Sequence, residues 1–124
     1  MLESDWFVFE KIVFFFSVFF LPGRGIDNNF VLRPIPEGQK MRHAATLVAA
    51  DRNMEVWTTA PGLQVYTGNW VEPNIGKSGK PYDVQHAICL ETQNFPDSPN
   101  HMNFPSPILR PGEIYYSRTD YRFM

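Results

Sequence analysis

A single cysteine, Cys89, stands in 124 residues, so no intrachain disulfide can form, and no Asn-x-Ser/Thr acceptor occurs. Nothing in the chain calls for an oxidising compartment, and a cytoplasmic location is the expectation. Positive charge is also scarce: 11 Lys and Arg against 13 Asp and Glu leave a net charge of −2. That balance offers no attractive footprint to a phosphate backbone or an anionic membrane, which removes nucleic acid and membrane from the expected partners. No segment shows a helical apolar stripe bounded by caps, and there is no internal repeat. The loop over residues 69–81 holds Gly76, Gly79, Lys77 and Lys80 but lacks the spacing of a phosphate cradle.

Apolar material, by contrast, is plentiful. With 44% hydrophobic and 15% aromatic residues the chain can fill a core, so disorder is excluded as the default. Eleven prolines and eight glycines favour short strands and turns, which predicts an all-β fold.

The amino-terminal stretch is different in kind. Phe7, Phe9, Phe14, Phe15, Phe16, Phe19 and Phe20 crowd into residues 6–21. The run is interrupted by Glu10 and Lys11 and is short of the roughly 20 apolar residues a spanning helix needs. A secretory signal fits the length, with residues 12–21 as its apolar part. However, Glu3, Asp5 and Glu10 stand where positive charge is expected, and no small-x-small cleavage site follows. A pyrimidine-rich nucleotide tract would also encode such a run, which reads residues 1–24 as translated intron or a misplaced gene start. The expected division is therefore 1–24, a Phe-rich segment of doubtful origin, and 25–124, the folded part. A functional signal peptide would change the expected location to secreted.

From Gly25 onward the pattern is of strands and turns. Residues 25–32 begin as a turn and pass into a strand that Pro34 and Pro36 end. Residues 42–49 and 54–59 flank an Asp/Asn-rich turn and are expected to pair antiparallel. In 63–67, Gln64 and Tyr66 alternate with Leu63 and Val65, giving one polar face. Residues 94–107 form a second long loop, and 108–110 with 114–123 complete a last hairpin around Pro111-Gly112.

The residue that draws attention is Glu91, set behind Ala87-Ile88-Cys89-Leu90 in what reads as a largely buried strand. Desolvation raises a carboxyl pKa and donated hydrogen bonds lower it, and a general base needs a balance of the two. Taken alone, Glu91 reads better as a structural carboxylate paired with an arginine or facing solvent. Cys89, two residues earlier and on the same side of an extended strand, reads as a buried structural thiol, with no histidine spaced to activate it.

Three blocks reverse the preference for Glu91: Pro61-Gly62-Leu63-Gln64-Val65-Tyr66-Thr67-Gly68-Asn69, Ala87 through Asn100 with Leu90-Glu91-Thr92-Gln93 at its centre, and Phe104-Pro105-Ser106-Pro107 through Pro111-Gly112-Glu113. In this order they closely resemble the C-terminal part of the aldose 1-epimerases, the galactose mutarotases. The resemblance runs from about Gly25 to Phe123 and corresponds to roughly the last third of a typical member.

It implies an incomplete piece of a mutarotase-like β-sandwich (supersandwich). It also implies a hexose substrate whose α and β anomers are interconverted, and no cofactor or metal. By the resemblance Glu91 is the catalytic base that takes the proton of the C1 hydroxyl, while Asp27 and Gln64 bind the sugar. Asp27 departs from the family in its neighbours, since Ile26 and Asn28 stand where an aromatic and a His are common. The family's acidic His belongs to the N-terminal part, and His43, His86 and His101 do not match its position. Little or no activity is thus expected of the chain alone. The alternative is a non-catalytic carbohydrate-binding or interaction remnant of the same fold. Sheet edges left uncovered in such a piece predict self-association.

Overall fold

The computed structural model describes residues 8–9, 12–15 and 25–124. The readings of the Phe-rich segment therefore fall largely outside the described residues.

The fold is all β, as expected. Ten strands are described: β1 (Val8–Phe9), β2 (Ile12–Phe15), β3 (Asp27–Leu32), β4 (Arg42–Val48), β5 (Asn53–Thr58), β6 (Gly62–Tyr66), β7 (Asn74–Ile75), β8 (Pro81–Tyr82), β9 (Cys89–Gln93) and β10 (Thr119–Phe123). One sheet has the order β1-β3-β6-β9 and a second the order β10-β5-β4-β2, while β7 and β8 form a separate two-stranded ribbon. Pairing is antiparallel throughout, apart from β1 on β3 and β2 on β4, which run parallel.

Period-two alternation decides which side of each strand is buried. Leu32 of β3, Leu63 and Val65 of β6 and Leu90 of β9 meet Ala44 and Ala45 of β4 and Val56 of β5 in one core cluster. The two four-stranded sheets are thus layers of a β-sandwich. Ile26, Phe30, Met54 and Ile88 pack at its margin. Arg42 fastens one end: its guanidinium donates to the carbonyl of Arg33 at 2.7 Å and to that of Thr59 at 3.4 Å, joining the exit of β3 to the exit of β5. Burial pulls this guanidinium below its ordinary pKa.

The β4–β5 hairpin forms where the Asp/Asn-rich turn predicts it, with a register irregularity between His43 and Ala45. Three expectations fail. The last hairpin is absent: residues 108–110 make no strand, and β10 pairs instead with β5, Thr119 opposite Thr58 and Phe123 opposite Met54. Pro105, Pro107 and Pro111 leave that stretch without the regular row of donors that a ladder needs. The loop at 69–81 is not wholly irregular, since Asn74–Ile75 within it pairs with Pro81–Tyr82 to form the β7–β8 ribbon. Finally, the strand carrying Glu91 begins only at Cys89, and both Cys89 and Glu91 are exposed. The apolar run at 87–90 gives one buried side chain, Leu90, because β9 is buried on one face only.

Between Asn94 and Arg118 the chain is irregular except for a 3₁₀ turn at Ser98–Asn100. This part exposes Ile108, Leu109, Ile114, Tyr115 and Tyr116. β10 is flanked by charge, with the Arg118 and Arg122 guanidinium groups beside Asp120, at 2.8 and 3.3 Å. The hydrogen bond from Arg118 holds that carboxyl below the usual carboxylate range against a smaller opposing effect of desolvation.

Candidate functional site

The antiparallel register of β3, β6 and β9 sets Asn29, Gln64 and Glu91 side by side, and next to them the row Asp27, Tyr66, Cys89. These residues share the parity opposite to Leu63, Val65 and Leu90, so they stand on the outer face of the sheet. Asp27, Gln64 and Glu91 are therefore brought together on one face, by three strands distant in sequence. Asp27 and Glu91 lie on the strands flanking β6, with Gln64 between them. The Gln64 side-chain amide donates to Asp27 Oδ1 at 2.8 Å. The second carboxylate oxygen of Asp27, the carbonyl oxygen and second N–H of Gln64, and the Glu91 carboxylate have no hydrogen-bond partner among the described residues and keep their capacity for a ligand on this face.

Local structure explains why Asp27 is held at this height. Gly25 has φ +94°, and a Cβ there would collide with Asn69 Oδ1 and Thr67 Oγ1. Only glycine lets the chain enter β3 so closely. The buried Asn69 donates to the Ile26 carbonyl at 2.8 Å and accepts from Thr67 Oγ1 at 2.6 Å, while the Ile26 N–H donates to Thr67 Oγ1 at 2.8 Å. The residue before Asp27 is fixed on both its backbone groups.

Three further residues of this face, Gln93, Asn29 and Phe95, are not among the site residues that the resemblance picks out, although Gln93 and Phe95 lie inside its central block. Gln93, of the same parity as Glu91, donates through Nε2 to Asn29 Oδ1 at 3.1 Å across the width of β6. Asn29 Nδ2 is buried and has no hydrogen-bond partner among the described residues. Beneath this amide pair lies Gly62, whose missing side chain leaves room: a Cβ there would come within 2.7 Å of Asn29 Oδ1 and 3.1 Å of Phe95 Cδ1. Phe95 thus borders the face at the Gly62 end, its ring edge-on to Phe104 at 5.2 Å. Parity counted from Asp27 and Glu91 is the signal that finds Asn29 and Gln93. Phe95 arrives from a loop, where parity says nothing.

None of the three histidines lies on β3, β6 or β9. His43 lies in β4 of the opposite sheet, with Nε2 2.9 Å from Thr46 Oγ1 and its ring edge-on to Trp57. His101 stacks on Phe104 at 4.6 Å between ring centres and sits 3.3 Å from Asp97. His86 lies in the turn before β9, not on a continuous strand with Glu91: its N–H closes on the Asp83 carbonyl at 3.1 Å. Among the described residues no helix is long and apolar enough to cross a membrane.

The sequence of this chain has counterparts in known proteins. The family model for aldose 1-epimerase matches residues 6–122. The chain is 45% identical over 103 residues to galactose mutarotase of Mus musculus and 44% identical over 103 residues to that of Homo sapiens, in each case 80% of this chain and 29% of the relative. It is 40% identical over 105 residues to aldose 1-epimerase of Escherichia coli (strain K12), 82% of this chain and 30% of that relative. The chain accordingly spans less than a third of the length of these curated relatives, and over that span it belongs to the aldose 1-epimerase family.

Proposed function

We propose that the outer face of β3, β6 and β9 binds a hexose and supplies the base side of an aldose 1-epimerase site. The observation that carries this reading is the shared face of Asp27, Gln64 and Glu91, joined by the 2.8 Å Gln64–Asp27 hydrogen bond. Vicinal sugar hydroxyls both donate and accept. A carboxylate and an amide held side by side meet that pattern, Asp27 accepting and Gln64 doing both. Glu91, on the next strand, takes the proton of the anomeric hydroxyl, the ring opens, rotation about C1–C2 exchanges the faces of the carbonyl, and closure returns the proton.

Protonation of the ring oxygen needs an acid; His43 and His101 are engaged with other side chains, and His86 lies in the turn before β9 and matches no acid position of the family. A base without its partner acid forfeits roughly 10²–10⁴-fold in rate. The expected behaviour of the chain by itself is thus sugar binding with little or no mutarotation. Titration of the full chain with D-galactose, followed by two-dimensional NMR, should move the resonances of Asp27, Gln64 and Glu91 first, and more weakly in Glu91→Gln. Shifts scattered elsewhere, or none, would overturn the reading. Polarimetric equilibration of α-D-glucose should run at the buffer rate, and a clear acceleration would sink the expectation that the acid lies outside this chain.

A further inference from the structure

Glu91 stands on an edge strand. Among the described residues β9 is outermost in the β1-β3-β6-β9 sheet and has a ladder on one side only, against β6. An edge strand held from one side frays more readily than a central one. β10 is likewise outermost in its own sheet, paired with β5. Two side-chain hydrogen bonds cross from one edge to the other. Thr92 Oγ1 and Thr119 Oγ1 lie 2.6 Å apart, and the Tyr121 hydroxyl donates to the Leu90 carbonyl at 2.9 Å. Thr119 and Tyr121, two positions apart on β10, thus reach the two residues that flank Glu91.

The threonine contact continues inward. Thr119 Oγ1 is 3.2 Å from Thr58 Oγ1, and the wholly buried Thr58 reaches the Arg118 carbonyl at 3.2 Å while accepting the Ala60 N–H at 3.0 Å. Since a hydroxyl gives one proton and accepts two, one consistent assignment runs Thr92 to Thr119 to Thr58 to the Arg118 carbonyl. The chain of donors ends on the backbone carbonyl just before β10, which also accepts the Thr59 N–H at 3.0 Å, so β9 is tied to fixed structure and not to another mobile group.

We propose that Thr119 and Tyr121 are positioning residues that staple the edge strand β9 to the opposite sheet and so fix Glu91 beside Gln64. Thr92 faces inward with Leu90. Holding the positions on either side of Glu91 fixes the pleat, and with it the direction in which the Glu91 side chain leaves the backbone. The role of Glu91 rests on the reading proposed above, whereas the staple itself does not.

The test uses the full chain with Thr119→Val and Tyr121→Phe, which remove hydroxyls with little change of shape, their double variant, and Thr119→Ser as the conservative control. Amide hydrogen exchange is followed at residues 89–93 and, for comparison, at residues 27–32. In the double variant β9 protection should fall about tenfold relative to β3, the effect of two ordinary hydrogen bonds, while Thr119→Ser keeps wild-type protection. Either single variant suffices if the double fails to fold. D-galactose affinity should fall several-fold in Thr119→Val and return in Thr119→Ser. Unchanged β9 protection, or an equal loss at β3 and β9, overturns the proposal. A wild-type chain that shows no galactose response overturns the sugar-binding reading alone, because the exchange comparison still decides the staple.

Discussion

The two faces of the β3–β6–β9 sheet are made by the same three strands and have almost nothing else in common. Inward, Leu63 and Val65 have no solvent exposure and Leu90 has 7%. Outward, one residue along each strand, stand Gln64, Tyr66 and Glu91, with Asp27 and Asn29 beside them. The packed face and the proposed binding face are therefore separated by parity. A slip of one residue in any of these strands would exchange the two sets. This is why the devices that fix register matter to the site, although none touches its outer face: the Gly25–Thr67–Asn69 cluster at the start of β3, and the cross-sheet bonds from β10 to β9.

The comparison breaks most directly at Leu63. Truncation to Ala removes a fully buried side chain from the centre of the cluster, and Leu63→Ala should cost about 2–5 kcal/mol in denaturant unfolding. For a chain of this size such a loss can unfold the molecule, so midpoint and slope are both measured. A cost below about 1 kcal/mol would mean that the inner face is not the source of stability.

Gly62 tests the boundary between the faces, since it belongs to the outer set by parity yet is buried beneath side chains. Gly62→Ala places a methyl group 2.7 Å from Asn29 Oδ1 and 3.1 Å from Phe95 Cδ1. Asn29 must turn and release Gln93, at a cost of about 1–3 kcal/mol. Crosspeaks of the Asn29 and Gln93 side-chain amides report the change. If both stay in place and stability is unaltered, the glycine is not needed for the packing of this face.

Much of this division is legible in the amino-acid sequence. The alternation in 63–67 marks the polar and apolar faces of β6, and the family resemblance picks out Glu91, Asp27 and Gln64, which strand pairing brings onto one face. What fails has physical reasons. The run Ala-Ile-Cys-Leu suggests burial on both sides, but an edge strand of an exposed sheet buries only alternate residues, so Cys89 and Glu91 face outward. A Pro-Gly turn predicts the last hairpin, while β10 finds its partner about 60 residues away in β5, a pairing no local signal encodes. Thr119 and Tyr121 carry no motif for the same reason: their significance comes from the residues they meet on another sheet.

The finest division lies between adjacent residues. Gln64→Ala changes the position next to Leu63 but removes only a half-buried side chain and its bond to Asp27. Unfolding free energy should stay within about 1 kcal/mol of wild type, the worth of one hydrogen bond. Asp27 then loses the donor that orients it and the face loses an amide, so D-galactose affinity should fall about five- to tenfold, the worth of one or two hydrogen bonds to a ligand. A calorimetric titration read beside a denaturation curve separates the two quantities. Should Gln64→Ala destabilise the chain as Leu63→Ala does, the outer face would belong to the folding core, and parity would no longer divide the sheet into a side that holds and a side that binds.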